Sequence, residues 1–583
     1  MKQLIKSITL SIFLLITTYT IAQQNNNLPA GTVTDLITKL PLENATLLLQ
    51  PEEVTTTSNA AGYFEFKISK SKKQTVTISL VGYATKTVGI DMDKPTTILL
   101  QKRIVGLQEV VVTSKQKIVG STSTIDKSAI IHTQPTSLAD VLQLVPGQLA
   151  VNPKLGVAQQ ITLRQVTSTA DAARAYALGT QIIVDGVPIS NNANLQTDVT
   201  ILNSSAGASP PFSSVAGRGN DLRQLPADNI ENIEVIRGIP SAKYGDLTSG
   251  LVIVTSRIGL FKPEIRVRLN PNLAQVATFA GFANRKKNSI YNVGVDVLNA
   301  KDDVRDNLNK YTRVQSQLAW QKYWNSKKTF TTTTIASFYK SVDALKPNAD
   351  DTRTQTENNA TDNGLKISTE GKWKANKKWL TTLNYIAAIN YSQQQSYYQT
   401  LITRDLFPIA TAIVDTTQQG VYGKSEYLNK TTVDGKPLNT YVRIEAVLQK
   451  KLLEFQHKIM LVAEYRYDVN NGGGRQFNIL TPPRQNYSVG ERPRTYSAIP
   501  ALQQIGYYVE DRITKTIGNK RLIVQAGLRI DNVSPTSIFK SKYGILALPR
   551  INTAIEVANI FLVKGGLWYC CKVNPIKFFI PRH

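Results

Sequence analysis

The chain has 583 residues and carries 68 Lys and Arg against 42 Asp and Glu, a formal net charge of +26, and at this length it must divide into more than one domain. Its two cysteines, Cys570 and Cys571, are neighbours, and its three histidines, His132, His457 and His583, are far apart, which excludes a disulfide framework, a zinc-ligand spacing and a metal site built on imidazole. Much of the basic charge sits in clusters at expected turns, 70–73, 285–287, 327–328 and 374–378, so it reads as solvated loops and not as a nucleic-acid footprint; lipid phosphate stays open as a partner.

Residues 1–22 have the layout of a signal peptide. Lys2 and Lys6 precede an apolar stretch at 8–16, and Thr20-Ile21-Ala22 supplies small residues before an expected cleavage at Gln23. No cysteine follows that site, so a lipoprotein is not indicated. The apolar run is too short to span a bilayer, and no later run reaches the roughly 18 residues that a spanning helix needs. The mature chain is therefore expected to be exported, and either to stay soluble or to cross a membrane as β-strands.

After a polar linker, residues 31–101 alternate as a small all-β domain. Phe64, Phe66 and Ile68 share one face against Tyr63, Glu65 and Lys67, and Val76, Ile78 and Leu80 repeat the pattern. Several short strands separated by turn signals predict a sandwich over 23–104. Its landmarks, Gly31 to Asp35, Pro41-Leu42-Glu43-Asn44-Ala45, Gly62-Tyr63-Phe64 and Val81-Gly82-Tyr83, resemble the carboxypeptidase-regulatory-like domain. The segment holds neither a zinc-ligand set nor a catalytic pairing, so the resemblance implies no peptidase activity.

Next come Leu107, Gln108, Glu109, Val110, Val111, Val112 and Thr113, an extended, β-branched run between polar segments. Such a run can add as a strand to the sheet edge of a partner, with backbone bonds giving affinity and alternate side chains giving register. The alternative is that it is the last strand of the preceding sandwich, and the partner strand is preferred. In the first case residues 114–125 act as a tether, so 105–125 form one linking segment. Residues 137–147, SLADVLQLVPG, predict a helix. Ser137 is its cap, with Asp140 three positions on; Leu138, Val141, Leu142 and Val145 form its apolar face, and Pro146-Gly147 stops it. Strands are expected at 161–165 and 181–189, the latter holding the turn dipeptide Asp185-Gly186. For Asp185 a turn role is preferred over a metal or catalytic one. Residues 191–224, rich in Asn, Ser, Ala and Gly, read as long loops.

The most informative stretch is 225–257, LPADNIENIEVIRGIPSAKYGDLTSGLVIVTSR. Asp228 is expected to cap a short helix, with Glu231 closing a capping box. A strand follows at 233–237, then one helical turn at 241–244, then a buried strand at 251–255. Ile233-Glu234-Val235, Arg237-Gly238, Tyr244-Gly245, Gly250 and Ile253 occur in the order that closes the plug domain of TonB-dependent outer-membrane receptors, and the unit resembles that plug. The helix at 137–147 and the segment QIIVDGVPI at 181–189 resemble other parts of the same domain; Gln165 departs from it, since the family usually has Gly there. The plug is placed at 126–257. By this resemblance, 107–113 stands where the TonB box lies.

After Arg257 the texture changes to strands of about ten residues with strict alternation. Tyr291, Val293, Val295 and Val297 oppose Asn292, Gly294 and Asp296. Tyr385, Ala387, Ile389 and Tyr391 oppose Asn384, Ala388, Asn390 and Ser392, and Leu528 and Ile530 oppose Arg529 and Asp531. One face suits lipid and the other suits water, as in a transmembrane β-barrel. Residues 258–583 accommodate about 13 such strands, whereas the family's barrel has 22, and 567–583 breaks the pattern. The expectation is a partial barrel and a truncated or frame-shifted product.

The fold class is thus mainly β: an N-terminal sandwich, an α+β plug and an incomplete antiparallel transmembrane barrel. The resemblance implies an outer-membrane receptor that imports a scarce ligand. TonB, energised by its inner-membrane partners, would pull on the box and remodel the plug. The ligand is left open among small molecules such as siderophores, glycans and peptides. Outer-membrane lipid is a partner, a surface lipoprotein is a further one, and nucleic acid is not. No cofactor, metal or catalytic residue is assigned, and no enzyme activity is expected. The alternative is an exported binding protein, sandwich plus plug, whose barrel transports nothing.

Overall fold

The computed structural model describes residues 30–50, 54–66, 73–80, 83–91, 94–101, 122–146, 155, 161, 163, 177, 179–190, 192, 221–301, 303–350, 352–353, 355–375, 377, 379–403, 405–406, 408–409, 416–417, 419–483, 493, 495–518, 520–534, 545–558 and 561–568. The expected signal peptide, the run 107–113 and both cysteines lie outside these residues. The chain divides into two compact units after Val111.

In the first unit, β1 (Ala30–Asp35), β2 (Thr46–Gln50), β3 (Val54–Thr57), β4 (Tyr63–Glu65), β5 (Lys73–Ser79), β6 (Lys86–Asp91) and β7 (Thr96–Leu100) form two sheets, ordered β4-β1-β7 and β3-β2-β5-β6. Period-2 alternation puts Val33, Leu47, Phe64, Phe66, Ile78 and Ile98 between the sheets, with Phe64 and Phe66 edge to face at 5.8 Å. Tyr63 points out, as its place in the alternation requires. The turn after β1 is built on Asp35. Its carboxylate accepts the Thr38 and Ile37 N–H groups at 2.8 Å each, and the Tyr83 hydroxyl at 2.9 Å; these bonds hold its pKa down at about 2.

The second unit opens with the α+β plug: β8 (Thr122–Asp126), α1 (Lys127–Thr133), α2 (Leu138–Leu142), β9 (Thr180–Val184), β10 (Val187–Pro188), a 3-10 turn at Leu222–Gln224, β11 (Ile230–Ile236) and β12 (Gly250–Ser256). The sheet order is β10-β9-β12-β11-β8, with β9 and β12 parallel. Three expectations need correction. Residues 122–125, read as tether, belong to β8, whose residues pair with β11 from Thr122 opposite Ile236 to Asp126 opposite Asn232. The capping box at Asp228 and Glu231 does not form: no helix follows Asp228, whose carboxylate is taken by arginines of the wall, and β11 already starts at Ile230. The helix predicted over 137–147 is α-helical only through Leu142. Its apolar face is nonetheless as expected, with Leu138, Val141, Leu142 and Val145 all buried. Asp140 accepts the Ser137 and Thr136 N–H groups at its start. Of the strand expected at 161–165, only Ile161 and Leu163 are described; both are buried.

The wall is one antiparallel sheet. Its path runs through β13 (Phe261–Asn270), β14 (Leu273–Ala283), β15 (Ser289–Ala300), β16 (Asn309–Tyr323), β17 (Phe330–Leu345), β18 (Glu357–Lys374) and β19 (Leu380–Thr403). A two-stranded ribbon, β20 (Pro408–Ile409) and β21 (Val421–Tyr422), follows. β22 (Glu426–Gly435) pairs with the far half of β19, and β23 (Pro437–Leu452) with its near half. The path continues through β24 (Phe455–Asn470), then, past β25 (Gly474–Phe477) on β22, to β26 (Leu502–Ile517), β27 (Lys520–Ser534), β28 (Ile545–Ala558) and β29 (Phe561–Trp568). Among the described residues thirteen strands lie on the path and β22 and β25 add two beside it, against about 13 expected from periodicity. Many are longer than the ten residues expected, β19 reaching 24, because beyond the apolar half the strand continues as the polar ribbon 392–396.

Alternation sorts the two faces. On β15, Asn292 and Asp296 are buried while Tyr291, Val293 and Val297 are exposed. On β26, Gln504, Tyr508 and Glu510 are buried while Ile505, Tyr507 and Val509 are exposed. Polar groups face in and apolar groups face out, the reverse of a soluble protein. Connections at one end are short, 284–288, 324–329, 375–379, 453–454 and 518–519. After the first hairpin those at the other end are longer, from 301–308 up to 471–501.

Candidate functional site

The plug fills the polar interior of the wall and meets it in two clusters of buried charge. The first is built on the plug turns at 221–229. Asp228, buried, receives Arg266 at 3.0 Å and Arg268 at 2.7 and 2.8 Å, both from β13, and Gln275 of β14 at 3.1 Å. Gln275 also donates to Asp296 of β15 at 2.5 Å. Asp296 in turn holds Arg313 of β16 at 2.7 and 2.9 Å, and that guanidinium donates to the plug carbonyls of Arg223 (2.5 Å) and Thr136 (3.0 Å). Arg223 reaches back to Asp343 of β17 at 2.9 Å and lies 4.3 Å over the Tyr311 ring. Plug and wall thus exchange arginines in both directions.

The second cluster seats the turn at 239–246. Glu510 of β26 accepts the Ala242 N–H at 2.6 Å and the Ser241 hydroxyl at 2.9 Å. Arg550 and Asn552 of β28 donate to the carbonyls of Ser241 (2.7 Å) and Ile239 (3.1 Å). Lys243 pairs with Glu445 of β23 at 3.2 Å. Behind them Arg529 of β27, fully buried, pairs with Glu464 and Asp531, and Glu464 also holds Arg466 at 3.1 Å. Every one of these wall residues lies on the inward face of its strand. Their charges are compensated locally, as buried charge must be.

Of the plug residues singled out by sequence, Tyr244-Gly245 lies at this seat, and Glu234, Arg237 and Gly250 hold the plug together internally. Asp185 and Gly186 form the β9–β10 turn at φ 52° and 79°. The Asp185 carboxylate accepts the Ser256 N–H and hydroxyl, both at 2.7 Å. That is the turn role expected of it, here tying the hairpin to the end of β12. Arg237 donates to the Pro146 carbonyl at 2.6 Å and to Ser123 at 3.0 Å, closing α2 and β8 onto the sheet; Gly238 follows it directly. Glu234 lies in β11 opposite Thr124. Tyr244-Gly245 lies against Arg529: a Cβ at Gly245 would strike the guanidinium, so only glycine lets the turn approach. Gly250 starts β12 where a side chain would strike Leu163 and the Ile236 carbonyl.

Sequence reasoning did not assign the wall arginines and carboxylates to this seat. A signal was present: Glu464-x-Arg466-x-Asp468 and Arg529-x-Asp531 put opposite charges on one face of otherwise apolar strands. Between the plug sheet and the wall lies a cavity of about 200 Å³, lined by Asp185, Ser190, Asn192, Asn390, Asn439 and Asp468 among others. Asp468 is bridged there by Asn192 of the plug (3.1 Å) and Asn439 of the wall (2.6 Å).

Residues 114–252 match the family described as the TonB-dependent receptor plug domain, and residues 30–112 match the CarboxypepD_reg-like domain. The second match runs across Leu107 to Val112. No curated protein matches the sequence. Among solved structures, the siderophore receptor PirA of Acinetobacter baumannii is similar with a TM-score of 0.52 at 16% identity, over 79% of this chain and 63% of that one. A mutant ferric enterobactin receptor, PfeA, of Pseudomonas aeruginosa in complex with enterobactin gives 0.51 at 16%, over 78% and 63%. The ferric citrate transporter FecA gives 0.51 at 12%, over 77% and 62%. The chain spans less than two thirds of the length of each of these receptors, and at such identities the likeness is one of fold. Residues 30–112 and 114–252 thus match a carboxypeptidase-regulatory-like module and a TonB-dependent receptor plug domain, and the barrel-type sheet wrapped around that plug has the fold of the siderophore receptors it resembles.

Proposed function

We propose that the protein is exported by residues 1–22, resides in an outer membrane and imports a small ligand through energised movement of the plug. The observation that carries this reading is the chemistry of the plug's seat. Where the two clusters hold it, the plug meets the wall through ion pairs and hydrogen bonds, such as Asp228 with Arg268 and Ala242 with Glu510. Water can replace each of these as a contact opens, at far lower cost than exposing an apolar core. A plug seated in this way is fitted to shift within a stable wall.

The grip for that movement is the run Leu107 to Thr113, which offers TonB a strand to pair with by β-augmentation. Ligand binding on the long-loop side would shift the population in which this run is exposed. The relatives' names speak of siderophores, ferric enterobactin and ferric citrate, so an iron chelate is the first ligand class to test.

The discriminating variant is Val111→Pro, which removes one backbone donor from the run and leaves the plug and wall untouched. Uptake of a radiolabelled iron chelate is expected to fall to background, and capture by purified TonB to weaken in parallel. Uptake and TonB binding both unchanged would remove 107–113 from the mechanism.

A further inference from the structure

Basic charge is densest at one end of the wall. The short connections 284–288, 324–329 and 375–379 carry seven Lys or Arg and no acidic residue in 16 residues, while the longer 301–308, 346–356, 404–425, 471–501 and 535–544 carry twelve basic and eight acidic residues in 82. Part of the basic excess faces outward. On β23 the exposed Val442 and Ile444 share their face with Lys450; on β26 Tyr507 and Val509 share theirs with Lys515; on β27 Leu528 and Ile530 share theirs with Lys520. Each lysine lies six to eight residues beyond the nearer of these two apolar residues, roughly 20–26 Å along the strand, at the short-connection end.

Aromatic rings mark the same level. Lys450 Nζ stands 3.9 Å over Trp379, Lys515 Nζ 4.7 Å over Phe455 and Lys328 Nζ 4.8 Å over Tyr323, and Trp324 stacks on Phe330. Amphipathic rings beside lysines, directly below an apolar band, are the composition of a hydrocarbon–water boundary. Of the acidic groups at this level, Glu454 lies 3.4 Å from Lys515, and Asp511, at the same parity of β26, is already paired with His457 at 2.7 Å.

We propose that this rim, centred on Lys450, Lys515 and Lys520, is a docking surface for the phosphate headgroups of anionic glycerophospholipids. The inference rests on the membrane reading above. In barrels of this kind short connections face the periplasm, so the rim meets the inner leaflet. The apolar band holds the acyl chains, the rings hold the glycerol level and the lysines pair with phosphate. The rim fixes the height of the wall in the bilayer.

The full chain, purified in a non-ionic detergent with equal amounts of phosphatidylglycerol and phosphatidylcholine, is passed over a sizing column and its retained lipid measured by mass spectrometry. Phosphatidylglycerol is expected to be enriched. The variant Lys450→Gln/Lys515→Gln/Lys520→Gln is expected to lose that enrichment by on the order of tenfold, while the Lys→Arg triple variant and the long-loop variant Arg305→Gln/Lys346→Gln keep it. Circular dichroism verifies that each variant is folded. Equal retention of the two lipids by the unaltered chain, or undiminished enrichment in the Gln triple variant, overturns the proposal. So does a preference for lipid A, or full displacement by glycerol phosphate. If neither lipid is retained, the membrane reading itself fails; if total lipid is retained without headgroup preference, only the rim proposal does.

Discussion

At Arg529 the wall and the plug share one guanidinium. It is fully buried, pairs with Glu464 and Asp531, and closes against the backbone at Gly245. Removing it takes the arginine from Asp531 and leaves Glu464 with Arg466 alone, and a buried charge that loses its partner costs about 3–5 kcal/mol. Arg529→Ala is therefore expected to lower the urea midpoint of the detergent-solubilised protein by that equivalent. Arg529→Lys should recover only part of the loss, because an ammonium cannot reproduce the planar fork. A change below about 1 kcal/mol in Arg529→Ala would mean that water already solvates the cluster. The sequence marked Arg529 and Asp531 as the polar face of a strand and Tyr244-Gly245 as a turn. That the two meet was not legible, because it depends on how far round the sheet wraps before β27 faces the plug. Asp228 shows the same limit. Its local context, with Glu231 three residues on, spells a helix cap, and two arginines from β13 outbid that local use.

Elements were more legible than contacts. The alternation of β15, β19 and β26 is a property of consecutive residues and survives any tertiary arrangement, and α2 keeps its apolar face even though it is short. What local pattern could not decide was the fate of a short polar strand. TSTID at 122–126 carries one aliphatic side chain, Ile125, and becomes β8 because β11 offers it an unpaired edge. Its position has a mechanical meaning for the proposed cycle. β8 is the first plug element after the run 107–113 and lies at the edge of the sheet, so a pull from the N-terminal side reaches it first and can peel it bond by bond. Thr124 lies directly opposite Glu234 on β11, a spacing that a disulfide can bridge. In a background with Cys570 and Cys571 replaced by serine, Thr124→Cys/Glu234→Cys is expected to abolish uptake when oxidised and to regain it on reduction. The single-cysteine variants should transport throughout. Full uptake with the bridge formed would show that β8 stays paired during transport and that movement begins elsewhere.

The whole second unit is organised by a single inversion. Its wall buries Arg, Glu, Asp and Asn against the plug and turns Val, Ile, Leu and Tyr outward. Ile444, Leu461, Val509, Leu528 and Ile530 line one continuous outward patch on four neighbouring strands. In water such a patch would drive association, whereas in lipid it is the stabilising surface. The inversion therefore predicts opposite responses on the two faces of the wall. Ile444 on β23 is half exposed on the outer face. Ile444→Arg is expected to cost about 2–4 kcal/mol in phospholipid vesicles if the residue lies at mid-depth. Two residues further the parity is unchanged, and Ala446→Arg should behave alike; the inward face of β27 offers the contrast. Gln525, on the inner face and bonded to Glu510 at 2.6 Å, is expected to accept Arg for less than about 1 kcal/mol, because a carboxylate already faces it. Unfolding titrations in vesicles and in urea-containing buffer without lipid separate the cases. A lipid-facing Ile444 makes the Arg penalty large in vesicles and absent without them. Equal penalties in both media would mean that this face packs against protein, and the apolar band would then be an interface with another chain.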